Sequence, residues 1–278
     1  MTPAAPAAAP TPAPSRPRAS KPLVSLRSVS KTFSNGTLAL KDMSLDVREG
    51  EFVSLLGPSG CGKSTALRII AGLGEPSSGT IEWPSATAYD ESGKAEREIG
   101  FVFQEPTLMP WATVAANVWL PLRLKGISKR AARNDVMETL RMVGLESFAD
   151  SYPRELSGGM KMRVSIARAL ITRPKLLLMD EPFAALDEIT RFKLNNDLLE
   201  LWERFGWTVI FVTHSVFESV YLSERIIVMA ARPGRVFRDL TIDAPYPRDE
   251  SFRTSAVYND NCRRTSDTLQ EAMGGRAH

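Results

Sequence analysis

Cysteine and histidine are scarce, two of each in 278 residues. Cys61 and Cys262 stand alone, without the C-x-x-C spacing that would mark a zinc or dithiol redox site, and this fits a reducing compartment. Long apolar runs are missing too. Runs such as LLLM at 176–179 and VIFV at 209–212 fall far short of the roughly 20 residues that a membrane-spanning helix needs. Nor does one charge dominate. The net +3 traces to Arg16, Arg18 and Lys21, after which 32 basic side chains face 32 acidic ones, so no basic surface points to nucleic acid.

Proline is unevenly placed. Seven of the first 22 residues are proline, a density that blocks helix and ladder alike, favours extended coil, and interrupts the apolar stretch a secretory signal requires. Residues 1–22 are therefore expected to be a disordered tail. From Leu23 short apolar runs alternate with amphipathic stretches, the pattern of a mostly parallel sheet flanked by helices in an α/β domain. Strands are expected at 23–30, 43–47, 52–56, 100–103, 175–179, 207–213, 225–230 and 235–240, and helices at 63–71, 161–171, 188–205 and 215–222. Between about 106 and 156 strand character thins and helical periodicity takes over, clearest at 128–142, as in an inserted helical lobe. Beyond 245 the chain is polar and weakly patterned. A partner-binding extension and a loose tail are both open for it.

Residues 57–64 read GPSGCGKS, which fits G-x-x-x-x-G-K-S/T between a strand and a helix. Gly57, Gly60 and Gly62 let the backbone wrap a polyphosphate, and the helix start directs its N–H groups at it. Gly57, Pro58, Ser59, Gly60, Cys61, Gly62, Lys63, Ser64 and Thr65 are thus candidate nucleotide contacts, with Lys63 facing the β- and γ-phosphates and Ser64 facing Mg²⁺. The strand at 176–179 ends in Asp180 and Glu181. Asp180 is placed to support Mg²⁺, and Glu181 to polarise an attacking water. Cys61 beside Lys63 has two readings: a thiol whose pKa the lysine lowers, or a small filler.

The segment LSGGM at 156–160, opening a helix, resembles the LSGGQ signature of ATP-binding cassettes, and further matches follow in order over residues 23–240. Phe33 matches the aromatic that stacks on adenine, Gln104 the lid glutamine, AALD at 184–187 with Asp187 the dimer loop, and His214 the switch histidine. The resemblance implies a phosphate-loop NTPase fold: a RecA-like core sheet, an antiparallel β subdomain and an inserted helical subdomain, together spanning 23–244. It implies ATP and Mg²⁺ as cofactors, with Ser64, Gln104 and Asp180 toward the metal and Glu181, His214 and Gln104 in hydrolysis. Ser157, Gly158 and Gly159 would form a second anion cradle gripping the γ-phosphate held by another copy, so that ATP joins a homodimer. Met160 stands where glutamine is usual and takes a polar side chain out of that cradle.

MPW at 109–111, EPFAALD at 181–187 and VMAARPGR at 228–235 resemble the nitrate, sulfonate and taurine importer branch of these ATPases. That likeness implies integral membrane permease subunits as partners, an indirect solute-binding protein, and a peripheral position on the cytoplasmic face of the inner membrane. Trp111 then either lines the groove that receives the permease or belongs to the core of the helical lobe. A soluble, non-transport ATPase with a regulatory or nucleic-acid-linked role is the alternative reading.

Overall fold

In the computed structural model, residues 21–85 and 98–274 are described. The expected tail at 1–22 lies outside them except for its last two residues. Pro22 already opens the first strand, β1 (Pro22–Thr32), which pairs antiparallel with β2 (Leu38–Arg48). A short strand, β3 (Phe52–Leu56), buried at all five positions, leads through a glycine-rich loop into α1 (Lys63–Ile70). β4 (Ser78–Glu82) returns to the other side of β1 and completes a three-stranded antiparallel sheet, in the order β2-β1-β4.

After β5 (Ile99–Val102) the chain enters the helical lobe, built from α2 (Val114–Leu124) and α3 (Lys129–Met142) with single 3₁₀ turns at Glu146–Phe148 and Pro153–Glu155. α4 (Gly158–Leu170) carries the chain back from the lobe to β6 (Leu176–Asp180). α5 (Glu188–Phe205), β7 (Thr208–Thr213), α6 (Val216–Leu222), β8 (Arg225–Ala230) and β9 (Arg235–Thr241) follow. The large sheet has the order β5-β6-β7-β3-β8-β9 and is parallel except at β9.

Its central strands are apolar without alternation because both faces are covered, as parallel sheets require. Period-two geometry still sorts the side chains. Phe52, Leu56, Leu177, Met179, Val209 and Phe211 face a core shared with α4, α5 and the helical lobe. Val53, Leu55, Leu176, Leu178, Ile210 and Val212 face a second core under the antiparallel sheet and α1. Arg225, bonded to Glu51 and Asp239 at 2.7 Å each, ties β8 and β9 to the turn before β3.

The C-terminal segment is packed on the core and is not a loose tail. α7 (Glu250–Thr254) and α8 (Ala256–Ala272) fold back on α6 and β8, and Tyr258 and Cys262 join the first core. Arg248 is buried and donates to the carbonyls of Val220, Tyr221 and Ser223, closing the C-terminus of α6 where a helix leaves its last acceptors unpaired. Tyr258 adds a bond to the Phe217 carbonyl.

Candidate nucleotide site

Four parallel strands end at one level. Register pairs Val102 with Met179, Asp180 with Val212 and Thr213 with Leu56, so Gln104, Asp180, Glu181, His214 and Gly57 all emerge at neighbouring carboxyl ends, where open α/β sheets bind ligands. At this edge the backbone of the 57–64 loop uses left-handed geometry at Gly60 (φ 75°) and Gly62 (φ 90°), which side-chain-bearing residues resist. Gly62 also leads α1. Every other described α-helix has a serine, threonine or aspartate side chain accepting from its first turn, and α1 has none. Its first N–H groups are left available to an anion, and the helix dipole favours one there.

The Lys63 ammonium donates to the carbonyls of Gly57 (2.8 Å) and Pro58 (3.1 Å) and stands 3.5 Å from Glu181 Oε1. Ser64 Oγ donates to Asp180 Oδ1 at 2.7 Å. Burial pushes the Asp180 carboxyl above its ordinary pKa, and the Ser64 bond only partly offsets this. A serine hydroxyl beside a buried carboxylate is the hard-oxygen set that Mg²⁺ takes alongside phosphate oxygens, and a cation would stabilise that charge, so the residues fit the ion. Glu181 occupies the left-handed region (φ 46°), a strained backbone for a non-glycine residue, held by Glu181 N to Val212 O (3.0 Å) and Ala184 N to Glu181 O (3.2 Å). His214 Nδ1 lies 3.3 Å from Glu181 Oε2.

Cys61 requires a correction. The expectation that Lys63 lowers its pKa fails because burial dominates and pushes the thiol up, with Lys63 opposing only in part. Its sulfur fills the space beside Gly57, where an added Cβ would lie 2.7 Å from it. The filler reading holds. Phe33 sits half-exposed in the turn between β1 and β2, with the Lys31 ammonium 5.8 Å above its ring. Gln104 is exposed beyond the end of β5.

The 157–159 segment lies apart from this loop. No hydrogen bond or ion pair among the described residues joins the two. Ser157 caps α4 by accepting from Met160 N at 3.3 Å, which leaves its own hydroxyl proton to donate. Gly158 is exposed. Gly159 is instead turned toward α5, where an added Cβ would come within 2.6 Å of Thr190 Cγ2. Met160 packs against the first core. Asp187 caps α5 through Thr190 N at 2.9 Å, and the bonds from Thr190 hold its carboxyl below the usual range.

Several residues that the sequence did not single out organise these loops. Arg168, on α4, donates to the carbonyls of Pro106 (2.9 Å) and Thr107 (2.8 Å), fixing the segment just after Gln104. Buried Asn117 bonds Met109 N, Met109 O, Ala112 O and Thr113 O. The turn so held presents Trp111, which is 77% exposed and therefore no part of the lobe core. Gly234 meets the phosphate loop itself. An added Cβ would lie 2.1 Å from the Cys61 carbonyl oxygen, and Gly234 N bonds Ala39 O at 3.0 Å. The RPG sequence signals a turn, while its contact with the phosphate loop is made only by the fold.

Comparison with known proteins adds the context of descent. Residues 40–184 match the family model described as ABC transporter. A putative ATP-binding protein of Brucella abortus is 48% identical over 86% of this chain and 90% of its own length. The aliphatic sulfonates import ATP-binding protein SsuB of Bacillus cereus is 44% identical over 83% and 91%. Among solved structures, cbiO1 of Clostridium perfringens, part of the ABC transporter complex cbiONQ, aligns with a TM-score of 0.71 at 31% identity, covering 79% of this chain and 88% of its own. The ATP-binding cassette MJ0796, in a dimeric post-hydrolysis state bound to ADP and Pi, aligns at 0.67 and 39% identity over 80% and 99%.

Proposed function

We propose, since the chain belongs to the ABC transporter family and is an ATP-binding, ATP-hydrolysing subunit of it, that it energises import of a small organic anion of the sulfonate class. The observation that carries the ATPase part is the gathering of Lys63, Ser64, Asp180, Glu181 and His214 at the ends of β3, β6 and β7, within contacts of 2.7–3.5 Å. The sulfonate part rests on the similarity to SsuB, which its name describes as importing aliphatic sulfonates. In this reading two copies dock on membrane-embedded permease subunits at the inner face of the membrane, and a solute-binding protein delivers the anion. No helix among the described residues is long and apolar enough to cross a bilayer; in this reading the permease chains form the channel.

The geometry supports a division of labour. The α1 N–H groups and Lys63 hold the β- and γ-phosphates, while Phe33 offers a face for adenine. When bound, Mg²⁺ neutralises phosphate charge; Ser64 and Asp180 would hold it, with Gln104 reaching in from the β5 end. Glu181 orients the attacking water and takes its proton as the new O–P bond forms and the bond to ADP breaks, which yields ADP and phosphate. His214, beside Glu181, aligns that carboxylate and meets the γ-phosphate. Ser157, Gly158 and Gly159 close on the phosphates held by the second copy.

The test is ATPase activity of the subunit reassembled with its permease in proteoliposomes, with the binding protein loaded in turn with an alkanesulfonate, taurine or nitrate. Stimulation by the alkanesulfonate above the others supports the sulfonate assignment. Stimulation by nitrate alone, or by none of the three, contradicts it.

A further inference from the structure

Glu218 is a buried carboxylate on the first turn of α6 that the hydrolytic mechanism does not use. It accepts from Thr213 Oγ1 at 2.6 Å. The same hydroxyl accepts from Ser215 N at 3.0 Å, so Thr213 and Ser215 fix the backbone on both sides of His214 through Glu218. The other carboxylate oxygen faces Arg191 Nε at 3.7 Å, and Arg191 Nη2 donates to the Leu186 carbonyl at 3.0 Å. A polar path with one open link, between Arg191 and Glu218, thus runs from the strand end carrying His214 to the 184–187 loop. Leu186 also lies where a Cβ on Gly158 would touch it at 3.3 Å.

We propose that Glu218 and Arg191 are positioning residues that couple the 184–187 loop to the placement of His214 beside Glu181. At 3.7 Å the Arg191–Glu218 pair is longer than a hydrogen bond, so a shift of under about 1 Å in the loop closes or opens it. Buried polar links of this kind have few alternatives to their native partners, and they transmit displacement because packed surroundings do not deform gradually. The proposal rests on the reading that a second copy closes against the 184–187 loop. Approach of that copy would move Leu186, draw Arg191 onto Glu218, and set Thr213 and His214 for hydrolysis.

Steady-state ATPase of the full chain is measured for wild type, Glu218→Gln, Arg191→Met, Arg191→Lys and the double variant Arg191→Met/Glu218→Gln, alongside equilibrium binding of a fluorescent ATP analogue. Each methionine or glutamine variant is expected to lower kcat about tenfold to a hundredfold, the scale of a small misplacement near the chemistry, with KM and analogue affinity within about twofold of wild type. The double variant is expected to be no slower than the slower single one, because both changes cut one path. Arg191→Lys should recover part of the rate. If Glu218→Gln does not fold, Arg191→Met carries the test, since that side chain is partly exposed. An unchanged kcat in Arg191→Met, a parallel loss of analogue affinity, or additive losses in the double variant would overturn the coupling.

A Glu181→Gln background separates this failure from failure of the two-copy reading. If Glu181→Gln alone does not associate with MgATP, the two-copy reading and the coupling fall together. If it does associate while Arg191→Met leaves kcat untouched, only the coupling falls.

Discussion

At the residue scale, the site sets charge against burial. Asp180 is buried enough that its folded pKa lies above its unfolded one. In the isolated protein its ionised form therefore costs stability at neutral pH, and that cost is relieved as pH falls through the raised folded value. Asp180→Asn is accordingly expected to raise the melting temperature at pH 7, with the difference from wild type shrinking on acidification. The same change should lower ATPase by at least about a hundredfold, the scale of removing one electrostatic contact to a transition state. A melting temperature below wild type would show that the Ser64 bond outweighs desolvation. Lys63, Ser64, Asp180 and Glu181 were legible in the sequence because phosphate chemistry demands those types at fixed distances from strand ends, and His214 was named through the cassette resemblance. Arg168, Asn117, Arg191 and Glu218 were not. They are ordinary polar residues on helices, and what marks them is a partner brought close only by the fold, as when Arg168 reaches 62 residues back to Pro106.

At the scale of elements, the loop-to-helix unit β3–α1 depends on neighbours that hold it from outside. Gly234 is the sharpest case, since its missing Cβ is what lets the β8–β9 turn lie against Cys61. Gly234→Ala should destabilise the protein by roughly 1–3 kcal/mol, the usual cost of overpacking, and raise the ATP concentration needed for half-saturation; denaturant titration and ATP titration check the two. Wild-type values in both would mean that the turn swings away freely. Most strands were readable because continuous apolar runs have few other homes, and β3, α5 and β8 fall at the expected residues. β4 escaped notice because it is short, largely exposed and contains Gly79. α8 escaped because two of its four buried positions, Tyr258, Cys262, Thr265 and Thr268, are threonine, so helical spacing was present while hydrophobic contrast was weak.

At the scale of the whole molecule, two surfaces look outward for partners. The helical lobe exposes Trp111 and Leu124 on a framework fixed by Asn117. In the proposed complex Trp111 meets the permease. Trp111→Ala should abolish most solute uptake by the assembled transporter, while the melting temperature of the isolated subunit moves by no more than about 2 °C, as for an exposed residue. Uptake at the wild-type level would place the permease contact elsewhere. The other surface carries the two segments proposed to hold phosphate, 57–64 at the sheet edge and 157–159 at the start of α4. Two such segments serve a single triphosphate only when a second copy is inverted against the first, and MJ0796 is dimeric in its solved cassette.

The most direct measurement is therefore the molecular size of Glu181→Gln with and without MgATP, together with its phosphate release. Hydrolysis at least about a hundredfold below wild type, with a monomer that becomes a dimer only when MgATP is present, is the expected result. A protein that stays monomeric with MgATP, or a Glu181→Gln variant that still hydrolyses at the wild-type rate, would contradict it.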